Sequence, residues 1–201
     1  MTRRRSSYRS LASLQRDLAV CRACVEAGYP LESLPVLNPR LGQRAYLYGQ
    51  APGPNEGIER RPWRGRAGQT LRGWLGMDED TFYSTFYCAS VTRCYPGRSP
   101  TGKGDRVPTP EEQHLCESWR DWELRLLLPR LVVPVGTLAI GRLLGKRPLA
   151  DSVGARFELP DGGVAIPLPH PSGVSLWLNS PANRALVDQA VAAIHAELAA
   201  L

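Results

Sequence analysis

Two neighbouring runs decide the fold of this chain: Gly49-Gln50-Ala51-Pro52-Gly53-Pro54-Asn55-Glu56 and Arg61-Pro62-Trp63-Arg64-Gly65-Arg66-Ala67-Gly68. They follow residues 44–48, an apolar stretch rich in aromatic residues that predicts a buried strand. Pro52 and Gly53 must end that strand in a tight turn, and an amphipathic helix is predicted from Ala67. A strand, a glycine- and proline-rich loop and a helix in this order form ligand pockets at the carboxyl edge of open α/β sheets. The length of the loop favours a binding role over a simple turn.

Outward from this loop, strand and helix patterns alternate along the chain. Further strands are predicted at residues 86–92, 131–136 and 164–168. Helices are predicted at residues 11–20, 109–128, 137–144 and 181–200. The alternation predicts a three-layer α/β/α sandwich around a mostly parallel four-stranded sheet. We expect residues 1–201 to form a single domain, with residues 1–8 as a disordered basic arm.

Polar residues follow several of the predicted strands. Because the carboxyl ends of parallel strands meet at one edge of a sheet, Gln50–Glu56, Ser90 and His170 are expected at one mouth. His170 lies between two prolines at the end of a strand, which favours a functional role. His114 and His195 fall within predicted helices and are expected to be surface or packing residues.

The charge of the chain favours a polyanionic partner, since the net charge is +6. A loop between Cys94 and Pro110 concentrates glycine, proline and basic residues. No apolar run approaches the roughly twenty residues of a membrane helix, and no secretory signal follows the basic first residues. A cytoplasmic location is therefore predicted.

Five cysteines occur in the chain, and a reducing compartment argues against a disulfide framework. Cys21 and Cys24 form a Cys-x-x-Cys pair, whereas Cys94 and Cys116 flank the basic loop. Thiolates spaced in this way can complete one four-coordinate metal centre. The wide second spacing favours an iron–sulfur cubane over zinc, and buried thiols without a metal remain the alternative. Cys88 lies inside an apolar strand and is predicted to be a core thiol.

Six segments, taken in order, resemble the uracil-DNA glycosylase superfamily, most closely its iron–sulfur-containing family 4 and family 5 branches. The segments are the Cys21/Cys24 pair, Gly49–Gly53, Arg61–Gly68, Cys94, Thr109–Glu112 with Cys116, and His170–Gly173. This resemblance covers nearly the whole chain. It implies a [4Fe–4S] cluster held by Cys21, Cys24, Cys94 and Cys116, and a pocket for a base extruded from DNA.

The resemblance also implies roles for single residues. Trp63 stands where the family places its stacking aromatic residue, and His170 would donate to the departing base. The base pocket would include Gly49, Gln50 and Ser90, and Glu56 would either position water or pair with a nearby arginine. The expected DNA contacts are Arg66, Gly68, Gln69, Arg98, Lys103, Arg106, Ser172 and Gly173.

Three positions depart from the family's pattern. Gln50 stands where members often have a carboxylate, Ala51 where the wider superfamily can carry Asp or Asn, and Ser90 where relatives place a uracil-reading Asn. A hydroxyl cannot offer the paired donor and acceptor of an amide. With Gln50 and Ala51 at these catalytic positions, stabilisation of the leaving base by His170 and backbone amides is expected to dominate.

The predicted function is that of a monomeric, monofunctional DNA repair glycosylase that flips out a deaminated base, uracil, and hydrolyses its N-glycosidic bond. Three alternatives stay open. The enzyme can prefer another deaminated base, such as hypoxanthine or xanthine. The chain can be a catalytically silent iron–sulfur protein that binds single- or double-stranded nucleic acid, or a redox-responsive cluster protein.

Overall fold

The computed structural model of the protein describes residues 5–31, 33–102, 104–172 and 176–201. Lys103 and Gly173, both predicted DNA contacts, lie outside these residues. The described strands are β1 (Ala45–Gly49), β2 (Phe86–Ser90), β3 (Leu131–Pro134), β4 (Phe157–Glu158) and β5 (Val164–Ala165). The described helices are α1 (Leu11–Leu18), α2 (Ala23–Glu26), α3 (Pro54–Glu59), α4 (Arg66–Trp74), α5 (Glu79–Thr85), α6 (Pro110–Leu127), α7 (Thr137–Leu144) and α8 (Pro181–Ala199), with a 3-10 helix at Leu176–Asn179.

The strands form one five-stranded sheet in the order β2-β1-β3-β5-β4. β1 pairs in parallel with β2 and β3, β3 pairs in parallel with β5, and β4 is antiparallel to β5. The prediction of a mostly parallel sheet in an α/β fold is confirmed. The predicted number of four strands was wrong because β4 is a two-residue segment, too short to show an alternating pattern.

The core lies on both faces of the inner strand β1, because successive side chains of a strand point to opposite faces. Ala45 and Leu47 pack with buried residues of α4, α5 and α8. Tyr46 and Tyr48 lie on the other face, which α6 and α7 cover. These contacts produce the three predicted layers. Within the described residues, no helix is both long and apolar enough to cross a membrane.

The described part of the predicted basic arm is anchored on the fold. Tyr8 is only 6% exposed, and its ring packs against Trp119 and Trp122 of α6. Its hydroxyl donates a 3.1 Å hydrogen bond to Asp17, which also pairs with Arg5 at 2.9 Å. Residues 5–8 are therefore ordered, which differs from the prediction. The reason is that Tyr8, soon after the basic run, packs in an apolar site.

The register of the sheet sets where the site forms. Gly49 at the end of β1 is paired with Ser90 at the end of β2. Just beyond β3, Val135 forms an isolated parallel bridge with Leu168, two residues before His170. The segments that follow β1, β2 and β5 therefore leave the sheet at the same edge.

Candidate active site and cysteine cavity

A pocket of about 310 Å³ opens at the carboxyl edge of the sheet. Its size lies at the lower end of the roughly 300–1,000 Å³ usual for small-ligand sites. Predicted site residues that line it are Gly49, Gln50, Ala51, Glu56, Trp63, Arg66, Ser90, His170 and Ser172. The structure thus brings together residues from the three segments that follow β1, β2 and β5.

Trp63 forms one wall of the pocket, and glycines on two sides let it fit. A Cβ atom at Gly49 would lie 3.0 Å from the Trp63 ring, and one at Gly68 only 1.8 Å from the Trp63 carbonyl oxygen. Trp63 has a φ of 59°, which is rare for a bulky residue. Arg72 of α4 donates a 2.9 Å hydrogen bond to the same carbonyl. Gly68 is buried, and it therefore has a packing role that its prediction as a DNA contact did not include.

Glu56 joins the starts of two helices. Its side chain is 9% exposed, and its Oε1 accepts a 2.7 Å hydrogen bond from the amide of Gly65. Oε2 accepts a 3.1 Å bond from the amide of Gly53. Gly53 and Gly65 precede α3 and α4 directly, so the carboxylate ties these helices together. This link between two helix starts is a role that neither prediction for Glu56 included.

His170 sits in the pocket wall as a neutral imidazole. Its Nδ1 accepts a 3.3 Å hydrogen bond from the amide of Ser172, so the ring proton belongs on Nε2. Burial lowers the pKa of His170 from its ordinary value, and the negative charge of Asp105 opposes this effect only in part. Gly136, with a φ of 84°, lies directly behind the ring. The residue therefore offers the pocket an uncharged N–H donor.

Ser90 and Gln50 form the floor between β1 and β2. The Ser90 hydroxyl donates a 2.7 Å hydrogen bond to the carbonyl of Thr92, which leaves its lone pairs for a ligand. The Gln50 carbonyl accepts a 3.3 Å bond from the Thr92 amide. The Gln50 residue lines both the pocket and an adjoining cleft. Gln50 and Ser90 thus both contribute to the lining of the pocket.

Asp105 is a pocket residue that the sequence analysis missed. It belongs to a hairpin whose described residues are 97–102 and 104–106, called here the 97–106 hairpin. In it Arg98 and Asp105 form an antiparallel bridge, and the Ser99 amide donates to the Gly104 carbonyl. Asp105 Oδ1 accepts a 3.0 Å hydrogen bond from the hydroxyl of Tyr95. The sequence feature that could have identified Asp105 is a single acidic residue in a loop rich in glycine and basic residues.

The predicted DNA contacts fall into two groups. Arg66, Gln69 and Arg98 are exposed beside the pocket, and Ser172 lies in its wall. Arg106 instead forms two hydrogen bonds of 2.5 and 2.6 Å to the buried carboxylate of Glu112. This ion pair anchors the 97–106 hairpin on α6, so Arg106 has a structural partner that the prediction did not include.

Four cysteines surround a second cavity: Cys21, Cys24, Cys94 and Cys116. Burial, and then the proximity of the other three thiols, raises the pKa of Cys94. Among the described residues, no group of three His, Cys, Asp or Glu side chains is placed to hold one metal ion. Four thiols that line one cavity are soft sulfur ligands of the kind that zinc and iron–sulfur centres use.

Cys88 is separate from this cavity. It is buried in the core beside β1, and its thiol contacts the carbonyl of Phe86. Burial raises the pKa of the Cys88 thiol strongly, so it is held in its neutral form.

A buried ion pair lies behind the cysteine cavity. Arg93 and Glu123 are 3% and 1% exposed and form a direct salt bridge. The hydroxyls of Tyr46 and Tyr87 donate hydrogen bonds of 2.7 and 3.0 Å to the same carboxylate. These contacts satisfy a charge that would otherwise be costly to bury. The segment from Ser90 to Cys94 connects this network to the pocket.

Comparison with known proteins identifies relatives of this chain by sequence. A protein from Thermotoga maritima described as a type-4 uracil-DNA glycosylase is 30% identical over 66% of this chain and 66% of its own length. Another from Pyrobaculum aerophilum, with the same description, is 30% identical over 69% of each chain. A third, from Sulfurisphaera tokodaii, is 25% identical over 63% of this chain and 54% of its own. Part of each relative therefore has no counterpart in the match.

The sequence model of one family spans most of the chain. It is described as the Uracil DNA glycosylase superfamily, and it matches residues 36–195, a range that contains β1 to β5 and every pocket residue described above. The resemblance inferred from the six segments is thereby confirmed. This chain belongs to the uracil-DNA glycosylase superfamily.

Proposed function

We propose that this protein is a DNA repair glycosylase that releases uracil from DNA by hydrolysing its N-glycosidic bond. The observation that carries the proposal is the convergence of Trp63, Ser90 and His170 in one pocket at the carboxyl edge of a uracil-DNA glycosylase fold. The descriptions of the relatives as type-4 uracil-DNA glycosylases support uracil as the base.

The pocket suits a base that has left the DNA stack. An enzyme that cuts an N-glycosidic bond must extrude the nucleotide and hold the base on an apolar or aromatic face. Trp63 supplies that face, and its restrained backbone keeps the ring in place before the base arrives. The site thereby limits the entropy lost when the base binds.

His170 would stabilise the departing base. As the bond from C1′ to the base nitrogen breaks, its electron pair moves onto the base, and negative charge grows on the carbonyl oxygens. The Nε2–H of neutral His170 can donate to such an oxygen, and amides near Ala51 can assist. A donor that is already in place needs no rearrangement during the reaction.

Gln50 would read the edge of the base together with Ser90. The Ser90 hydroxyl already donates to Thr92, so it can accept a hydrogen bond from the N3–H group of uracil. The amide of Gln50 carries both a donor and an acceptor. It can therefore supply the paired edge that Ser90 cannot.

The four-cysteine cavity would hold a [4Fe–4S] cluster through Cys21, Cys24, Cys94 and Cys116. Such a cluster, when bound, crosslinks chain segments. Here the segments are the turn after α1, helix α2, the segment after β2, and helix α6. The thiol ligands support a structural role that keeps β2 and the 97–106 hairpin next to the pocket.

DNA would approach over the pocket mouth. The exposed Arg66, Gln69 and Arg98 would contact phosphates, and Ser172, which lines the pocket, would lie nearer the base. Contacts to phosphate position a protein on DNA without reading sequence. Action as a cytoplasmic monomer is part of this proposal.

The decisive experiment incubates purified protein with oligonucleotides that contain uracil, hypoxanthine or xanthine, as single strands and as duplexes. Abasic sites are detected by alkaline strand cleavage. We expect release of uracil, retained by the exposed-helix variant His114→Ala and lost from His170→Ala. Release of only another base would reassign the substrate, and binding without cleavage would favour the silent nucleic-acid-binding protein.

A further inference from the structure

We infer that Asp105 is the catalytic carboxylate that activates the attacking water, delivered to the pocket by the 97–106 hairpin. The inference rests on the proposed uracil excision and adds a catalytic residue to it. Neither Gln50 nor Ala51 has a side chain that can take a proton from water, so the general base must come from another residue.

Among the residues that the structure describes, two acidic side chains line the pocket, Glu56 and Asp105. Both oxygens of Glu56 accept hydrogen bonds from backbone amides, at 2.7 and 3.1 Å. Protonation of Glu56 would weaken the link between α3 and α4. Its position therefore suits a structural role better than proton transfer.

Asp105 is held differently. Oδ1 accepts a 3.0 Å hydrogen bond from the Tyr95 hydroxyl, whereas Oδ2 accepts none from the described part of the chain. A Cβ atom at Gly53 would lie 3.6 Å from Oδ2, so this oxygen faces the loop after β1 across a gap that glycine keeps open. One oxygen orients the group, and the other is available to a water molecule.

Asp105 also shares its surroundings with the other reacting groups. It lines both the pocket and the adjoining cleft of about 310 Å³, and His170, Gln50 and Ala51 line both as well. The cleft provides space for water next to a base held in the pocket. The carboxylate therefore faces the loop that carries Gln50 and Ala51, and it reaches the pocket from another element.

The hairpin is built to hold this position. Arg98 pairs with Asp105 across the hairpin, and the Arg106 amide donates a 3.0 Å hydrogen bond to the Gly97 carbonyl. The next contact is the ion pair of Arg106 with Glu112 at the start of α6. These contacts fix the backbone next to Asp105.

The proposed step balances as a hydrolysis. Asp105 accepts a proton from water while the water oxygen bonds to C1′. The bond from C1′ to N1 breaks, and its electron pair leaves with uracil, whose charge His170 stabilises. The products are the abasic sugar and the uracil anion, which takes up the proton that Asp105 releases.

The test measures single-turnover excision of uracil by the wild type, Asp105→Asn, Asp105→Ala and Asp188→Asn. Asp188 is an exposed carboxylate on α8 and serves as the matched control. We expect both Asp105 variants to lose at least about a hundredfold in rate, while the control keeps the wild-type rate. Binding to an oligonucleotide with uncleavable 2′-fluoro-deoxyuridine should be unchanged in every variant. Added formate should restore part of the rate of Asp105→Ala only.

The outcomes separate the two proposals. A wild-type rate in Asp105→Asn would overturn the role of Asp105 and leave uracil excision intact. A rate loss matched by an equal loss of binding, without rescue by formate, would also overturn it and make Asp105 a binding residue. A wild type that releases no base at all would remove both proposals together.

Discussion

At the scale of single residues, the hydrogen bonds already present in the pocket decide which atoms remain for a substrate. The Ser90 hydroxyl donates its hydrogen to the Thr92 carbonyl, and each oxygen of Glu56 accepts one hydrogen bond from a backbone amide. His170 keeps Nε2–H, and Asp105 keeps one oxygen. In the mechanism proposed above, the Nε2–H of His170 is the donor for the leaving base and Oδ2 of Asp105 is the acceptor for a water proton.

The first prediction ranks three substitutions by their effect on excision. His170→Ala should lose about a hundred- to a thousandfold in single-turnover rate, the usual effect of removing a donor to a developing anion. Trp63→Ala should lose affinity for the uracil-containing strand, because the stacking face is gone. Glu56→Gln should lose less rate than either, since an amide oxygen can still accept from one of the two backbone N–H groups.

The ranking would be reversed if Glu56 were the water-activating base. A larger rate loss in Glu56→Gln than in His170→Ala, at unchanged melting temperature, would establish that case. Thermal unfolding of each variant is the control, because loss of the Glu56 link should appear as a lower melting temperature.

The second prediction concerns the protonation of His170. Burial lowers its pKa, so its imidazole should titrate below the ordinary value of 6.5. Nitrogen-15 NMR at neutral pH should show a protonated Nε2 and an unprotonated Nδ1, as the Ser172 hydrogen bond requires. A titration midpoint above 6.5, or the opposite tautomer, would contradict the neutral-donor assignment.

The lowered pKa of His170 also has a consequence for stability. As pH falls below about 6.5, the unfolded chain takes up the proton before the folded chain does. The folded state therefore loses stability from that pH down to the folded pKa, and no further below it. Urea midpoints at neutral and mildly acidic pH should differ more for the wild type than for His170→Gln.

At the scale of elements, α4 holds the loop that carries Trp63. Arg72 reaches back to the Trp63 carbonyl, and Gly68 lets the helix approach it. The loop is also fixed by ion pairs of Arg64 with Glu59 and Glu79. Order in this loop comes from contacts that are distant from the base pocket itself.

The third prediction compares two glycines of α4. Gly68→Ala places a Cβ 1.8 Å from a backbone oxygen, and overpacking of this kind costs about 1–3 kcal/mol or more. Gly73→Ala meets nothing within 4 Å and should gain about 0.5–1 kcal/mol from helix propensity. Thermal unfolding and Trp fluorescence measure both effects. Equal stability in the two variants would show that the Trp63 backbone moves easily.

The fourth prediction separates two arginines of the 97–106 hairpin. Arg98→Ala should weaken binding to all DNA sequences alike and reduce the salt slope by about one. Arg106→Ala should leave the salt slope unchanged but destabilise the fold by about 3–5 kcal/mol, because Glu112 keeps a buried charge without its partner. If Arg106→Ala reduced the salt slope and Arg98→Ala destabilised the fold, Arg106 would be the phosphate contact instead.

At the scale of the whole molecule, the sequence predicted what depends on local patterns. The apolar run at residues 44–48 predicted β1, and the Thr-Pro-Glu-Glu helix start predicted α6. Both signals are local in the sequence. The meeting of Gln50, Ser90 and His170 followed from parallel topology. Local patterns could not predict Asp105 in the pocket, because the hairpin's path depends on the Arg106 pair with Glu112. They also missed Glu56 as a link, since its partner Gly65 lies across a loop.

The last prediction concerns the four-cysteine cavity, which joins the amino-terminal segment to the centre of the fold. Cys21 follows α1, and Cys116 lies on α6. If a [4Fe–4S] cluster links them, purified wild type should be brown and contain iron. Cys21→Ser and Cys116→Ser should lose iron, colour and thermal stability together, because metal binding contributes folding free energy. Cys88→Ser is the matched control and should keep its iron, since Cys88 lies in the core away from the cavity. Metal analysis that finds zinc without iron would overturn the cluster, and iron loss in Cys88→Ser would overturn the ligand assignment.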